Sequence, residues 1–173
     1  LDFKTKSIYN ITEERLREEL PKVYAEIHNK QYTTFEGTFT VHAPKVFKQI
    51  IEMEGFQNEM GKSLELKSNF NRILKAGINT GGKSGEFFFF SSDNQLIMKT
   101  ATDKELETLL NILPEYIAYF RSNPDSLIAR IYGIFTFERI NPYEKYHLLL
   151  MRNINGYPSV CVERKYDLKG STV

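Results

Sequence analysis

Helical and strand-like patterns alternate along the chain. Apolar residues recur at helical spacing within residues 12–29, although Pro21 lies inside that run. Ala43-Pro44 opens a second predicted helix, which Gly55 ends. Residues 58–66 predict another short helix, and residues 70–77 are ambiguous. The sequence therefore predicts several helices spread along the chain.

A longer helix is predicted after Thr102. Thr102 is followed three residues later by Glu105, which is the spacing of a capping box. One face of this helix is leucine-rich. Pro114 is expected to interrupt it, with the helical pattern resuming up to Phe120.

Other segments have the β-branched and aromatic composition of strands. They are residues 31–41, 87–90, 95–100, 128–137, 146–151 and 160–166. Gly37 marks a turn or bulge in the first, and residues 91–94 form a turn that predicts a β-hairpin. The predicted fold class is α+β, with helices packed against a mainly antiparallel sheet.

Composition narrows the function classes. The chain has 173 residues, 41% of them hydrophobic, and a net charge of +1. That balance gives no support to a nucleic-acid partner, which would require a basic excess. The lone Cys161 excludes a disulfide framework and reads as a small core residue. The three histidines are far apart, so no metal site is predicted, and no apolar run is long enough to span a membrane.

A glycine-rich turn and a lysine are the first candidate chemistry. Residues 81–85, GGKSG, precede the predicted hairpin, where backbone amides could cradle phosphate groups. Lys99 follows three apolar residues on the second strand, and a lysine in such surroundings needs an anionic partner. Glu105 and Glu107 on the next helix are candidates. Taken separately, a plain hairpin turn and a solvent-facing lysine explain these features equally well.

A third motif makes a resemblance specific. Residues 166–172 read YDLKGST, residues 82–88 read GKSGEFF, and residues 97–100 read IMKT. With these motifs the chain, over about residues 40–173, resembles the N-terminal lobe of the phosphatidylinositol phosphate kinase family. The resemblance implies a kinase-like N-lobe of the SAICAR synthase-like type and a division into residues 1–40, an N-terminal segment, and residues 41–173, the lobe.

The resemblance also implies a set of functional residues. Lys99 and Glu105 are the expected catalytic pair, with Glu107 a less favoured partner. The residues expected to hold ATP are Lys83, Ser84, Gly85, Phe87, Lys99, Met151, Arg152, Asn153, Ile154, Asp167 and Lys169. Residues 151–154 would be the hinge, contacting adenine mainly through backbone. Glu86 departs from the small residue usual in the family and adds a negative charge beside the loop.

The implied activity is transfer of the ATP γ-phosphate to an inositol hydroxyl of a phosphatidylinositol monophosphate. The family's catalytic aspartate, Mg²⁺-binding aspartate and specificity loop are expected beyond Val173, so the chain by itself is expected to be inactive. The implied location is cytoplasmic with peripheral membrane association, and a homodimer is a further expectation. Residues 152–153 and 164–165 resemble one branch of the family and residues 91–93 the other, so the inositol position stays open.

Two other interpretations remain. One is a non-catalytic module for anionic-lipid binding or dimerisation, which has no need of Lys99 behind a glycine-rich loop. The other is a diverged protein kinase, against which the YDLKGST segment and Met98 before Lys99 both argue.

Overall fold

The fold is built on one antiparallel sheet. The computed structural model describes residues 20, 22, 24–78, 87–156 and 164. Within these residues the strands are β1 (Lys30–Thr33), β2 (Gly37–His42), β3 (Phe88–Phe90), β4 (Leu96–Ala101), β5 (Ile131–Arg139) and β6 (Glu144–Arg152). They form a six-stranded sheet in the order β1-β2-β5-β6-β4-β3. Every neighbouring pair is antiparallel, so the predicted fold class is confirmed.

Three helices lie between β2 and β3, and a fourth lies between β4 and β5. They are α1 (Pro44–Met53), α2 (Gln57–Ser63), α3 (Leu66–Ile78) and α4 (Asp103–Ser122). Pro44 occupies the first turn of α1, where its missing N–H costs no hydrogen bond, and Gly55 ends this segment with a φ of 64°. In the part of the chain that is described, no helix is both long and apolar enough to cross a bilayer.

The core lies between the sheet, α1 and α4. α1 contacts both β5 and α4. Val46 and Ile50 from α1 and Ile117 from α4 are fully buried, together with Ile134 of β5 and Leu149 of β6. Burying an aliphatic side chain stabilises a fold by roughly 1.5–3 kcal/mol, so these contacts fix α4 on the sheet face that carries Leu149.

α4 runs unbroken through Pro114, so the predicted interruption is wrong. A proline inside a helix costs about 3 kcal/mol because it removes a hydrogen bond to the carbonyl four residues earlier. Here Pro114 is itself buried, and Leu113, Ile117 and Phe120 around it are almost inaccessible. Burial of several such side chains outweighs the cost of the one proline.

Most other predicted elements are present with shifted ends. Residues 31–41 form the β1–β2 hairpin, and residues 70–77, which had no clear pattern, belong to α3. β5 begins at Ile131 rather than residue 128. Of the helix predicted over residues 12–29, the described part is helical up to Glu26. The predicted strand 160–166 and Cys161 lie outside the described residues, except for residue 164, which is not in a strand.

The predicted boundary between the N-terminal segment and the lobe, at residues 40 and 41, falls inside β2. β1 pairs with β2, and β2 pairs with β5 over its whole length from Gly37 to His42. Residues 30–42 therefore belong to the same sheet as the strands that follow.

Candidate functional site

The β3–β4 hairpin sets the position of Lys99. Just before β3, the Phe87 N–H donates to Thr100 Oγ1 at 3.1 Å, and the Thr100 N–H donates to the Phe87 carbonyl at 3.0 Å. Lys99 is then paired with Phe88 on β3 and with Leu149 on β6. Paired residues share a sheet face, so Lys99 lies on the face that α4 covers.

Glu105 of α4 is the ionic partner of Lys99. Lys99 Nζ lies 3.3 Å from Glu105 Oε1, and the two side chains are 23% and 44% exposed. Glu107, the other acidic candidate, is exposed. The pair joins β4, the strand next to the sheet edge formed by β3, to the first turn of α4.

A capping box fixes the other half of the Glu105 carboxylate. Oε2 accepts the Thr102 N–H at 2.8 Å and the Thr102 hydroxyl at 3.0 Å, while Thr102 Oγ1 accepts the Glu105 N–H at 3.2 Å. The backbone hydrogen bond from Thr102 is the largest of the effects that hold the pKa of Glu105 below its ordinary value; bonds from the Thr102 hydroxyl and Lys99 add to it, against the opposing effect of burial. The carboxylate is therefore charged at neutral pH.

A buried polar chain holds the start of α4 to the sheet. His147 Nε2 donates to Asp103 Oδ1 at 2.9 Å, and His147 Nδ1 lies 2.8 Å from Thr136 Oγ1. Thr136 Oγ1 lies in turn 2.7 Å from His42 Nε2. Burial, followed by the nearby His147 and Lys145, lowers the pKa of His42. These bonds anchor Asp103 to the sheet, and Glu105 lies about half a helical turn after it.

A cavity of about 430 Å³ lies beside the ion pair. Its lining residues are Lys99, Thr102, Lys104, Glu105, Thr108, Leu109 and Leu149. The volume falls within the range of ligand pockets, roughly 300–1,000 Å³. The lining contains two cationic side chains, Lys99 and Lys104, and two leucines, Leu109 and Leu149, which suit a ligand that is both anionic and apolar.

Aromatic side chains extend the same sheet face. Phe88 and Phe90 of β3 pair with Lys99 and Ile97 of β4, so all four share the face on which α4 lies. Phe88 and Phe90 are 45% and 43% exposed, whereas Phe89, on the opposite face, is 6% exposed. An open apolar surface of this kind beside a lysine can stack against a flat ring.

The predicted hinge, residues 151–154, spans the end of β6, which contains Met151 and Arg152. Met151 pairs with Ile97, which places it on the Lys99 face. Arg152 points the other way, with its guanidinium 4.4 Å from the centre of the Phe56 ring. The amide of Arg152 donates to the Arg130 carbonyl at 2.8 Å, and that of Asn153 donates to the Gln95 carbonyl at 2.9 Å. These two amides are thus engaged within the protein, and any backbone contact with adenine must use other groups.

Several predicted residues remain untested by the geometry. Lys83, Ser84, Gly85, Asp167 and Lys169 lie outside the described residues. Phe87 is described: it directly precedes β3 and is hydrogen-bonded to Thr100. Ile154 is 61% exposed at the surface after β6.

Sequence reasoning missed the apolar part of the site. The sequence predicts Phe88, Phe90, Ile97 and Leu149 only as strand residues, and Leu109 only as part of the leucine-rich face of a helix. One signal was present: Ile97 is two residues from Lys99, and strand alternation puts it on the same face. Leu149 belongs to the site because β6 pairs with β4 across the sheet, and local sequence does not reveal that pairing.

Comparisons with known proteins place the chain in a family. The family model described as Phosphatidylinositol-4-phosphate 5-Kinase matches residues 68–173. A probable phosphatidylinositol phosphate kinase of Dictyostelium discoideum is 32% identical over 148 residues, covering 82% of this chain and 20% of that protein. The phosphatidylinositol 4-phosphate 5-kinase type-1 alpha of Rattus norvegicus is 36% identical over 134 residues, covering 78% of this chain and 23% of that protein.

The phosphatidylinositol 4-phosphate 5-kinase its3 of Schizosaccharomyces pombe is 30% identical over 141 residues, covering 80% of this chain and 18% of that protein. The family model covers more than half of the chain. The chain belongs to the phosphatidylinositol phosphate kinase family, as the sequence motifs predicted. It spans about a fifth of the length of these relatives.

Proposed function

We propose that this chain is the ATP-binding part of a lipid kinase. The complete protein transfers the γ-phosphate of ATP to a ring hydroxyl of a phosphatidylinositol monophosphate, which gives a phosphatidylinositol bisphosphate and ADP. The observation that carries the proposal is the Lys99–Glu105 ion pair beside a cavity of about 430 Å³. Membership of the family and the relatives named as phosphatidylinositol 4-phosphate 5-kinases supply the reaction class.

Lys99 is assigned to the phosphates. A half-buried ammonium beside a single carboxylate retains donors that can bind phosphate oxygens, and phosphoryl transfer depends chiefly on such charge stabilisation. Glu105 acts as a positioning residue, because it holds the ammonium in place and is itself held by Thr102. The glycine-rich residues Ser84 and Gly85 would cover the same phosphates.

The apolar face is assigned to the base. Ile97, Phe88 and Phe90 lie on the Lys99 face, with Met151 next to Ile97. Ile97 and Lys99 are two residues apart, which is about 7 Å along a strand. The arrangement therefore offers an apolar surface at one end and a cation at the other, as a nucleoside triphosphate requires.

We assign Mg²⁺ binding and the transfer step itself to residues other than those of the described site. Mg²⁺ accompanies ATP in phosphoryl transfer by neutralising charge on its phosphates. In the described ranges no cluster of three or more His, Cys, Asp or Glu could hold a metal ion, so Mg²⁺ is not assigned to them. We expect the 173 residues without the remaining length of the relatives to bind ATP poorly and to transfer no phosphate.

The test is a transfer assay on the complete gene product. Radiolabelled ATP, Mg²⁺ and vesicles carrying each phosphatidylinositol monophosphate in turn are supplied to the wild type, Lys99→Met and Lys48→Met. Lys48 is a suitable control because it is an exposed cation paired with Glu52 on α1. Transfer to a lipid that Lys99→Met loses and Lys48→Met keeps supports the proposal and names the substrate. Vesicle binding without transfer by a folded wild-type protein would favour the non-catalytic module.

A further inference from the structure

The turn of the β3–β4 hairpin, residues 91–94, is fastened to α2 and α3. Asn69 of α3 is 1% exposed. Its Nδ2 donates to the carbonyls of Ser63 and Glu65, both at 2.8 Å, and its Oδ1 accepts the Ser92 N–H at 2.7 Å. A buried amide whose two ends are both bonded holds the turn at a fixed distance from the two helices.

Asp93 gives the turn a second attachment. Its Oδ2 accepts the Ser63 hydroxyl at 2.5 Å, and its Oδ1 accepts the Ser91 hydroxyl at 2.6 Å and the Gln95 N–H at 3.1 Å. Burial tends to raise the pKa of Asp93, but the hydrogen bonds from Ser63 and Ser91 outweigh it and the pKa lies below its ordinary value. The turn is thus held by a charged acceptor.

The opposite side of the turn holds the segment after β6. Asn153 Nδ2 donates to the Asn94 carbonyl at 2.6 Å. Gly156 approaches the same carbonyl so closely that a Cβ there would lie 1.9 Å from its oxygen. The Gly156 N–H closes the segment by donating to the Asn153 carbonyl at 3.0 Å.

Arg72 of α3 reaches the same asparagine from the helix side. Its Nη1 donates to the Ser91 carbonyl at 2.9 Å and to Asn94 Oδ1 at 2.8 Å. Asn94 has a φ of 58°, a left-handed conformation that asparagine tolerates better than most residues. Arg72 and Asn153 therefore contact one residue, Asn94, from two sides.

We propose that residues 91–94 act as a clamp through which α2 and α3 fix residues 153–156, and that Arg72 and Asn69 are positioning residues for the base end of the nucleotide. The inference rests on the proposed function, which places the base beside Ile97 and Met151, and on the hinge that the resemblance implies for residues 151–154. Residues 153–156 are attached to the turn because Asn153 is hydrogen-bonded to the carbonyls of Asn94 and Gln95. Met151, which lies on the Lys99 face, is two residues before Asn153. Lys99 is also held by its pairing with Leu149 on β6, so we expect a shift of the turn to displace the base more than Lys99.

Arg72 is the residue with which to test the clamp. It is exposed, so Arg72→Ala removes two hydrogen bonds without opening the core. Lys67→Ala is the matched control, an exposed cation on the same helix. Arg72→Lys restores a cationic donor. On the complete gene product, the KM for ATP and kcat are measured for each variant, and hydrogen–deuterium exchange is followed over residues 153–156.

The clamp predicts a selective loss. Arg72→Ala raises the KM for ATP about threefold to tenfold and leaves kcat within about twofold, because a hydrogen bond contributes about 1 kcal/mol. Exchange of the Asn153 and Gly156 amides becomes faster, and Arg72→Lys recovers part of both effects. Lys67→Ala changes neither. In the Asn153→Ala background, Arg72→Ala raises the KM by a smaller factor than in the wild type, because the Asn153–Asn94 hydrogen bond is already missing.

Other results overturn it. Unchanged exchange over residues 153–156 in Arg72→Ala shows that the turn does not hold the segment. Faster exchange with an unchanged KM shows that the segment does not position the base. KM effects that multiply in the double variant show that Arg72 does not act through the Asn153–Asn94 contact. If the wild type binds no ATP at all, the proposed function fails, and the exchange data still decide whether the clamp exists.

Discussion

The two oxygens of Glu105 serve two elements at once: Oε1 lies 3.3 Å from Lys99 Nζ, while Oε2 accepts hydrogen bonds from Thr102. The sheet lysine and the first turn of α4 are thereby joined through one carboxylate. This relationship makes the proposed phosphate contact sensitive to the start of α4 as well as to Lys99 itself.

Glu105→Gln tests that relationship. The amide lacks the charge that holds the ammonium, and a hydrogen bond between charged groups contributes about 1.5–3 kcal/mol when it is not exposed to solvent. Because Glu105 is 44% exposed, we expect the lower end of that range, a loss of about tenfold in kcat/KM for ATP. Glu107→Gln, at an exposed position on the same helix, should stay within about twofold. Equal losses in both variants would contradict the assignment of Glu105.

Thr102→Ala tests the capping box by stability rather than by activity. The substitution removes the hydroxyl that accepts the Glu105 N–H, and loss of an N-cap costs about 1 kcal/mol. Urea unfolding should show this decrease. Thr108→Ala is the control, because Thr108 bonds to the Lys104 carbonyl inside α4 and alanine is the better helix former there. A Thr102→Ala protein as stable as the control would show that the cap does not hold α4.

Gly156→Ala tests the close approach between the turn and the segment after β6. A Cβ at this position meets the Asn94 carbonyl at 1.9 Å, so the backbone must move, and overpacking of this kind costs about 1–3 kcal/mol. Gly61→Ala is the matched control, since a Cβ at Gly61 in α2 meets nothing within 4 Å. That control should be neutral or stabilising by up to about 1 kcal/mol because alanine favours helices. Thermal unfolding of both variants decides the point, and equal melting temperatures would contradict it.

His42 should make stability depend on pH. Its folded pKa is lowered by burial, then by His147 and Lys145, so below the ordinary histidine pKa of about 6.5 the unfolded chain binds more protons than the folded one. Stability is therefore full above about pH 6.5 and falls as the pH drops below it. The decrease from pH 7 to pH 5 should be smaller in His42→Gln. Denaturant unfolding at both pH values measures the difference, and parallel curves for the two proteins would contradict it.

Local signals in the sequence predicted the parts of the site that lie close together in the chain. Thr102 and Glu105 are three residues apart, and a capping box has a fixed spacing. The β3–β4 hairpin was likewise predicted from the polar turn between two apolar runs. Lys99 and Glu105 are separated by six residues, so both ends of the ion pair lie within one strand–helix unit.

Long-range pairing was beyond the same reasoning. β6 lies between β5 and β4, so Leu149 meets Lys99 from a strand fifty residues later in the chain. Asn69 is polar, and a polar residue in a helix is usually exposed. It is buried because it bonds to a turn 23 residues away. Pro114 suggested a break because its local cost is clear, while the burial that offsets this cost depends on the packed core.

The central claim is that Lys99 binds the phosphates of ATP. The most direct test is a calorimetric titration of the complete gene product with ATP and Mg²⁺. Wild type, Lys99→Met and Lys48→Met are compared after thermal unfolding has shown that all three are folded. The account predicts that wild type and Lys48→Met bind ATP equally, and that Lys99→Met binds at least about tenfold more weakly because it lacks the cation assigned to the phosphates. Equal affinity of Lys99→Met and the wild type would contradict the account.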